Sequence, residues 1–438
     1  MEEQELLREM ESQNKWWAEK QIKLEEGLIE RGVYKNVLGE IGKKEVTGFI
    51  GLRRVGKTTI LKQIIGHLLA KGVSEKNILL FSFDGFKKEE KAIKQVIVVY
   101  SKYVLGNTLE KTADHVYVFF DEVQKVSEWG EELKSIYDKD YKIKFFVSGS
   151  SSMNIIKGSG ESLVGRIIFH NISPFTFREF LLINGIETEK QDLLHIKYPT
   201  GSEQIQILFN RYLKLGGFPE LYKIPEQEIK VRLKTYLDLT FFRDIVNMFE
   251  VKRPDILEGL FFSVLKESGN LVNYNNLSKS LSTRFETIKS YMSYLSASYL
   301  ISESRFFSNS RKSVEKNPKA YVADHSFSAI SSIEEGLRAE TVVYNHCKII
   351  VYTGLADSLA YWRDRKNEVD IILSQDGQNF PIEIKYRNDP EDTAGLLKFM
   401  WKFKVEKGFV VTRDLFKTKV IGGKTVIFIP CWLFLLAV

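Results

Sequence analysis

The feature that most constrains this chain is a glycine-rich loop between an apolar run and a helical run. The loop reads Gly51-x-x-x-x-Gly56-Lys57-Thr58, and it follows the mostly apolar residues 46–50. Glycines let consecutive backbone N–H groups curl around phosphates, a lysine reaches the β- and γ-phosphate oxygens, and a threonine hydroxyl binds Mg²⁺. A glycine turn beside a surface lysine is the alternative, but that turn would not require a flanking strand and helix. The loop therefore predicts a nucleoside triphosphate site in a parallel α/β sheet.

The expected ATP ligands all lie in this loop or directly after it. They are Gly51, Arg53, Arg54, Val55, Gly56, Lys57, Thr58 and Thr59. Of these, Lys57 is also expected to act in catalysis and Thr58 to bind the Mg²⁺ that accompanies ATP.

Two acids end a later apolar strand, at the edge where an open α/β sheet binds its ligands. The strand is 116–120, and Asp121 and Glu122 follow it. We expect Asp121 to bind Mg²⁺ with Thr58 and Glu122 to polarise the attacking water as the catalytic base. Capping of the next helix is the alternative role for these acids.

Another apolar strand, 143–147, ends in hydroxyl side chains at the same edge. We expect Ser148 to sense the γ-phosphate or to orient the attacking water. The alternative is that Ser148 caps the following helix, a role that Ser150 or Ser151 could fill instead.

Composition indicates a soluble protein of several domains. Its 438 residues suit about three domains, and 44% hydrophobic with 27% charged residues is typical of globular proteins. Two cysteines are too few for a zinc cluster or a disulfide framework, which favours the cytoplasm. We expect no membrane span, because no apolar stretch reaches the roughly 18 residues that a span needs. A net charge of +6 permits contact with nucleic acid without requiring it.

Five short motifs follow the phosphate loop. They are Phe120-Asp-Glu-Val-Gln-Lys-Val126, Ser148-Gly-Ser-Ser151, Leu163-Val-Gly-Arg166, Pro174-Phe-Thr-Phe-Arg-Glu-Phe180 and Gly216-Gly-Phe-Pro219. In order and spacing, over nearly the whole chain, they resemble a family of archaeal and bacterial AAA+-type ATPases with an uncharacterised C-terminal domain. The resemblance implies that Arg166 is an arginine finger or phosphate sensor and that Pro219 is a lid residue near the adenine. For Arg166, an ordinary surface charge is the alternative.

The middle of the chain has two patterns. Apolar residues recur at helical spacing over 181–250, which predicts a helical lid over the nucleotide. Residues 251–325 read as three helices and a β-wing, the order of a winged helix-turn-helix that inserts a helix into the major groove. The candidate DNA contacts are Arg284, Lys289, Arg311 and Lys312. Protein docking is the alternative, because the predicted recognition helix is rich in serine and tyrosine rather than arginine.

The C-terminal segment carries acids and a lysine at strand spacing. Asp370 and Glu383 fall on strands predicted to form a hairpin, and Lys385 shares the side of Glu383 because strand side chains alternate. Two carboxylates can hold a divalent cation, and a lysine can activate water. With Glu340 on the preceding helix, these residues resemble the PD-(D/E)XK nuclease pattern, which implies a second Mg²⁺ or Mn²⁺. A structural Glu383–Lys385 ion pair, or a fold that has lost cleavage, is the alternative.

Together these patterns predict an α/β protein with an AAA+-like P-loop sheet and a restriction-endonuclease-like end. The predicted parts are an ATPase core with an N-terminal helix (1–180), a helical lid (181–250), a winged helix (251–325) and a nuclease-like domain (326–438). We expect an Mg-ATP hydrolase that acts on or with DNA, with metal-dependent nuclease activity as a further possibility. The alternative is an ATP-controlled regulatory switch or assembly scaffold with an inactive nuclease-like domain. An arginine finger acting in trans would imply a homo-oligomer, whereas one acting in cis would not.

Overall fold

The computed structural model describes residues 2–85, 91–150, 163–199, 201–308, 316–331, 333–387, 390 and 392–438. The chain forms two compact units, Met1–Ile172 and Ser173–Val438. The predicted division into four domains is finer than this and stays a prediction.

The first unit is built on a parallel sheet of five strands. They are β1 (Val46–Ile50), β2 (Ile78–Ser82), β3 (Val116–Asp121), β4 (Ile143–Gly149) and β5 (Ile167–Asn171). Their order is β2-β3-β4-β1-β5, and every neighbouring pair is parallel. Strands β1 to β4 are apolar and almost wholly buried, as expected for a sheet covered on both faces. The predicted parallel α/β sheet is confirmed.

Six helices of this unit are described. They are α1 (Glu3–Gln13), α2 (Trp16–Glu19), α3 (Gly32–Leu38), α4 (Lys57–Ala70), α5 (Ala92–Tyr100) and α6 (Trp129–Tyr137). Helix α5 continues into a π-helical turn, Ser101–Leu105. Helix α4 begins directly at the phosphate loop, so the strand, loop and helix order predicted around Gly51 to Thr58 is present.

The connection from α1 to α2 covers the edge strand β2 with side chains. The Asn14 amide accepts the N–H of Leu80 and donates to the carbonyl oxygen of Leu80, both at 2.7 Å. The indole N–H groups of Trp16 and Trp17 donate to the carbonyl of Ile78 at 3.2 and 2.9 Å. These side chains therefore make hydrogen bonds that a further strand would otherwise make.

The second unit contains a mixed sheet of eight strands. They are β6 (Ile301–Phe306), β7 (Lys319–Val322), β8 (Ser358–Asp364), β9 (Asn367–Gln375), β10 (Gln378–Lys385), β11 (Lys407–Thr412), β12 (Lys417–Ile421) and β13 (Lys424–Pro430). Their order is β12-β13-β11-β10-β9-β8-β6-β7. The antiparallel β6–β7 hairpin joins this sheet because β6 pairs parallel to β8. The predicted wing and the predicted nuclease-like strands thus share one sheet.

Ten helices of the second unit are described. They are α7 (Phe177–Ile183), α8 (Glu203–Leu215), α9 (Glu226–Asp238), α10 (Asn247–Phe249), α11 (Pro254–Lys266), α12 (Tyr274–Ser280), α13 (Phe285–Ala297), α14 (Glu335–Tyr352), α15 (Ala394–Lys402) and α16 (Cys431–Ala437). A π-helical stretch, Leu239–Val246, links α9 to α10. Helix α7 starts with a capping box, in which Thr176 accepts the N–H of Glu179 and Glu179 accepts the N–H of Thr176.

The core of the second unit includes helices that the sequence assigns to a lid. Leu181 of α7 and Tyr212 of α8 are buried in one cluster with Cys347 of α14 and Phe434 of α16. A second cluster packs α15 against β8, β9 and β11. These two helices of the predicted lid are therefore part of this unit's hydrophobic core.

Two predicted domain types agree with the element order and stay predictions. Helices α11 to α13 precede the β6–β7 hairpin, as in a winged helix. The order α14, β8, β9, β10, α15, β11 is the one expected of the nuclease-like core. Among the residues that the structure describes, no helix is long and apolar enough to cross a bilayer.

The first glycine of the Gly216-Gly217 motif has no room for a side chain, because neighbouring residues pack against its backbone. Gly216 follows α8 with φ +85° and ψ −168°, and a Cβ there would lie 2.2 Å from Ser326 Cβ and 2.3 Å from Asp324 Oδ1. The Asp324 carboxylate accepts the N–H of Gly217 at 2.9 Å. Asp324 and Ser326 therefore occupy the space that a side chain on Gly216 would need.

We predict that Gly216→Ala destabilises the second unit far more than Gly185→Ala. Both glycines have a positive φ, but nothing lies within 4 Å of a Cβ built on Gly185. Backbone strain alone costs about 1 kcal/mol at Gly185, whereas the overpacking at Gly216 adds about 1–3 kcal/mol. Urea unfolding of the two variants measures the difference, and equal losses would contradict the packing role.

Candidate functional site

The phosphate loop lies at the carboxyl edge of the first sheet, between β1 and α4. Gly51 has φ +153°, and a Cβ there would lie 2.1 Å from the carbonyl oxygen of Ile172, so a larger residue does not fit. Gly56 has φ +97° at the start of α4. The loop thus runs into the N-terminus of a 14-residue helix, which favours an anion through its unpaired N–H groups and its dipole.

Lys57 reaches back across this loop. Its Nζ is buried and donates to the carbonyl oxygens of Gly51 and Leu52, both at 2.9 Å. The ammonium group is therefore held inside the loop, where it would neutralise the β- and γ-phosphate oxygens of a bound triphosphate.

Thr58, Asp121 and Ser148 form a hydrogen-bonded group beside the loop. Thr58 Oγ1 donates to Asp121 Oδ2 at 2.7 Å, and Ser148 Oγ donates to Asp121 Oδ1. Burial, together with the charge of Glu122, raises the pKa of Asp121 above its ordinary value against the opposing effect of the two hydroxyls and Lys57. Mg²⁺ prefers hard oxygen ligands, so the Thr58 hydroxyl and the Asp121 carboxylate fit the ion that accompanies ATP.

Glu122 is held by two neighbouring side chains. It has a left-handed backbone, with φ +55°. Its Oε2 accepts hydrogen bonds from Gln124 Nε2 and from Ser150 Oγ, the latter at 3.2 Å. The sequence pattern assigns no role to Gln124, although this residue stands in the motif that contains Glu122. Ser151, the other candidate cap, lies outside the described residues.

Arg31 is another residue near the loop that sequence reasoning missed. It is 7% exposed, and its Nη1 donates to the carbonyl oxygen of Val55 at 2.9 Å. It stands 24 residues before Val55 in the chain, and no local pattern marks it.

Arg166 lies at the opposite edge of the sheet from the phosphate loop. Its carbonyl oxygen accepts the N–H of Val46, the first residue of β1, at 2.8 Å, and its Nε donates to Asp138 Oδ1 at 3.2 Å. The loop follows the other end of β1, about 16 Å away at 3.3 Å per residue. Arg166 therefore does not join this chain's own phosphate loop, and action on a neighbouring molecule stays a prediction.

The predicted ATP residues are otherwise placed as follows. Arg53, Arg54 and Val55 lie within the loop, and Thr59 lies in the first turn of α4. Pro219 begins a short 3-10 helix, Pro219–Lys223, in the second unit. Its proposed place near the adenine stays a prediction.

In the second unit, three carboxylates surround one lysine. Lys319 Nζ on β7 lies 3.1 Å from Glu340 Oε1 on α14, 2.6 Å from Glu368 Oε1 on β9 and 2.9 Å from Asp370 Oδ1 on β9. Only 3% of the Lys319 side chain is exposed. The structure thus brings together Glu340 and Asp370 as the sequence predicts, but around a lysine that the sequence analysis did not single out.

Glu383 and Lys385 form an ion pair on β10, beside this cluster. Lys385 Nζ lies 2.9 Å from Glu383 Oε1. Glu383 Oε2 is buried and has no hydrogen-bond partner in the part of the chain that the structure describes. The ion pair that the sequence analysis kept as an alternative is therefore present.

Burial and charge shift the pKa values of this cluster. Burial opposes the charge on Lys319, but Asp370 and the other nearby anionic groups outweigh it, so the pKa of Lys319 lies well above its ordinary value. Burial is the main cause that raises the pKa of Glu340 to about 7, followed by repulsion from Asp370. Burial also raises the pKa of Glu383 to about 7, against the effect of Lys385. These acids lie in a dry environment that penalises uncompensated charge.

The cluster does not fit the second divalent ion that the sequence predicts. Among the described residues, no group of three or more His, Cys, Asp or Glu side chains has a geometry that could hold a metal. The Lys319 ammonium lies between Glu340 and Asp370 and already pairs with both. The predicted Mg²⁺ or Mn²⁺ at this site is therefore not supported.

The two DNA candidates that the structure describes lie on or next to α13. Arg284 precedes the helix and Lys289 lies on it, and both are exposed. Arg284 lines an open groove of about 760 Å³ together with Lys252, Lys279, Glu250 and Glu286. The other candidates, Arg311 and Lys312, lie outside the described residues.

Comparison with known proteins adds family information to this geometry. Residues 43–181 match an AAA domain. This AAA domain match spans the phosphate loop, Asp121, Glu122 and Ser148, and together with the site geometry it supports a nucleotide-binding AAA-type ATPase. Residues 206–335 and 335–434 match two domains of unknown function, DUF8612 and DUF4143. Neither description assigns a nuclease or a DNA-binding role.

Relatives of similar length exist in archaea and bacteria. The chain is 28% identical to the uncharacterised protein MJ1544 of Methanocaldococcus jannaschii, over 74% of this chain and 70% of that protein. It is 23% identical to an uncharacterised protein of Haemophilus influenzae, over 91% of this chain and 98% of that protein. The names of these relatives give no activity.

Solved structures are similar only at a low level. ORC2 of Aeropyrum pernix in its ADP form has a TM-score of 0.36 and 14% identity, over 75% of this chain and 98% of that chain. ORC1 of the same organism, solved with DNA, has a TM-score of 0.33 and 10% identity, over 72% and 92%. Nothing about function follows from likeness at this level.

We predict that Lys57→Ala weakens ATP binding about 10- to 100-fold, because it removes a charged hydrogen-bond donor from the phosphate loop. Lys62→Ala is the matched control, since Lys62 is an exposed lysine of the same helix. Titration with a fluorescent ATP analogue measures both affinities. Equal affinity in the two variants would contradict the assignment of Lys57.

Proposed function

We propose that the AAA domain binds and hydrolyses Mg-ATP. The observation that carries the proposal is the contact between Thr58 and Asp121, with Ser148 on the other carboxylate oxygen. The contact brings the end of β3 to the first turn of α4, next to the loop that would bind the triphosphate. Both Mg²⁺ ligands expected of such a site thus lie together.

The neighbouring side chains supply the remaining roles. Lys57 binds the β- and γ-phosphates. Thr58 and Asp121 would hold Mg²⁺, which would supply further positive charge to the triphosphate. Glu122 polarises the attacking water, and Gln124 and Ser150 hold its carboxylate. Ser148, next to Asp121 on the adjoining strand, orients the γ-phosphate or the water.

We further propose that the protein acts with DNA through the α13 region. Arg284, Lys289, Lys252 and Lys279 are exposed cationic side chains on or near this helix. Exposed cations bind the DNA backbone by releasing condensed counterions. Glu250 and Glu286 line the same groove, so DNA contact would depend on the orientation of α13 rather than on a uniformly basic surface.

A second candidate is an ATP-controlled regulatory switch or assembly scaffold with no cleavage. The observation that favours it is the Lys319 ammonium among the carboxylates that a nuclease would use for its metal. Binding to duplex DNA separates the two candidates, because the switch does not require it.

We predict that Glu122→Gln retains ATP binding and lowers kcat about 10²- to 10⁴-fold, because glutamine cannot accept a proton from the attacking water. Glu131→Gln, at an exposed position on α6, is the matched control and should keep full turnover. A phosphate-release assay measures both. Unchanged turnover in Glu122→Gln would rule out Glu122 as the base.

We predict that Arg284→Ala with Lys289→Ala weakens duplex DNA binding and makes the slope of log K against log salt shallower by about 2 units. Lys230→Ala with Lys234→Ala removes the same charge from exposed positions on α9 and should leave the slope unchanged. Fluorescence anisotropy with ATP and Mg²⁺ present measures the slopes. Absence of any binding at low salt would refute the DNA proposal and favour the switch.

A further inference from the structure

We propose that Lys319 is a built-in cation that replaces a divalent metal, so that the carboxylate cluster is a metal-free ion-pair centre. This proposal concerns the second unit and is independent of ATP hydrolysis in the first.

The geometry around Lys319 is that of a bound cation. Its Nζ lies within 3.1 Å of oxygens from Glu340, Glu368 and Asp370. Three carboxylates that converge in a mostly buried site repel one another unless a positive charge lies between them. The lysine supplies that charge from within the chain, with three donors for the three carboxylates.

The carboxylate oxygens are largely committed to groups of the protein. Glu340 Oε1 also accepts the Tyr321 hydroxyl at 2.8 Å, and Asp370 Oδ2 accepts the N–H of Ile384 at 2.8 Å. A divalent ion needs several oxygen ligands at once. It would have to displace an ammonium group that pairs with three carboxylates, and leave that ammonium buried without a partner.

The backbone at Gly269 and the strand that carries Lys319 also cover one side of the cluster. Gly269 has φ +95°, and a Cβ there would lie 2.9 Å from Glu340 Oε1, so the backbone at Gly269 packs directly against this carboxylate. The N–H of Gly269 donates to the carbonyl oxygen of Ala320, the residue after Lys319, at 2.8 Å. The turn at Gly269 and strand β7 therefore cover Glu340 together.

The ion pairs of this cluster connect two parts of the chain that the sequence assigns to different domains. Lys319 and Tyr321 belong to the hairpin of the predicted winged helix, whereas Glu340, Glu368 and Asp370 belong to the predicted nuclease-like part. Where a metal nuclease would use an exchangeable ion, this chain has a covalently attached one. The cluster thus fixes the hairpin to α14 and β9.

The test measures Mn²⁺ binding to the nucleotide-free full chain by electron paramagnetic resonance. The Tm is measured with and without Mn²⁺ as a second readout. We expect no Mn²⁺ at the cluster of the unaltered protein and no rise in its Tm. Methionine ends one atom short of the lysine Nζ, so Lys319→Met removes the charge and vacates the ammonium position between the carboxylates. This variant should bind one Mn²⁺ there and gain Tm with the ion. Adding Asp370→Asn to Lys319→Met should abolish that binding.

Lys348→Met is the matched control. Lys348 lies on α14, and its ammonium donates to the Ser302 hydroxyl, so its removal should create no Mn²⁺ site. If Lys319→Met folds poorly without metal, Lys319→Met with Glu340→Gln removes one of the unpaired acids and should restore folding. The proposal would be overturned if neither Lys319→Met nor Lys319→Met with Glu340→Gln bound Mn²⁺.

A nicking assay on plasmid DNA with Mg²⁺ completes the test. We expect equal, background nicking by the unaltered protein and by Asp370→Ala, because the site holds no metal. Mn²⁺ binding by the unaltered protein that Asp370→Asn removes, or nicking that Asp370→Ala removes, would overturn the proposal. Neither result depends on the AAA domain, so ATP hydrolysis can fail or hold separately.

Discussion

The second unit depends on the contact between the Lys319 ammonium and the carboxylates of Glu340, Glu368 and Asp370. Each partner alone would be costly to bury, because a charge loses its hydration without replacement. Together they satisfy one another across a hairpin, a helix and a strand. Desolvation offsets much of the attraction in such a cluster, whereas a mispaired hairpin would leave charges buried and alone. The first unit contains a smaller group of the same kind, in which the Asp121 carboxylate is buried between the hydroxyls of Thr58 and Ser148.

Local sequence is sufficient to predict three strands of the first unit, β1, β3 and β4, and the polar residues that follow them. Apolar runs fully buried in a parallel sheet are conspicuous in sequence, and polar residues that follow them must lie at one edge. The expectation that Asp121 and Ser148 lie together rests on this rule, and their hydrogen bond agrees with it. The turn sequence around Gly377 predicts the hairpin that carries Asp370 and Glu383, and β9 and β10 are indeed antiparallel.

Two of the missed residues, Lys319 and Arg31, act through contacts that chain spacing does not reveal. Gln124 differs, because it contacts Glu122 only two positions away in the same motif. Lys319 meets Glu340 and Asp370 across 21 and 51 positions. A lysine in an ordinary strand is expected in solvent, so its burial cannot be inferred without knowing that three acids surround it. Arg166 illustrates the converse, because a motif position suggested a phosphate contact while the strand direction of β5 places the residue at the other edge. A sequence motif therefore indicates which residues take part in a site, but the end of the sheet at which each one lies depends on the strand order and direction.

The side chains that cover β2 have a consequence for how molecules of this protein can associate. With hydrogen-bonding groups of β2 taken by Asn14, Trp16 and Trp17, strand addition to the first sheet is left to its other terminal strand, β5. A filament that grows by extending this sheet would need both terminal strands of every molecule, whereas a two-fold pair would need only β5. The protein cannot propagate by that contact into a filament. The covered edge therefore sets an upper limit of two on assemblies formed by extending this sheet, and larger rings would have to use other surfaces.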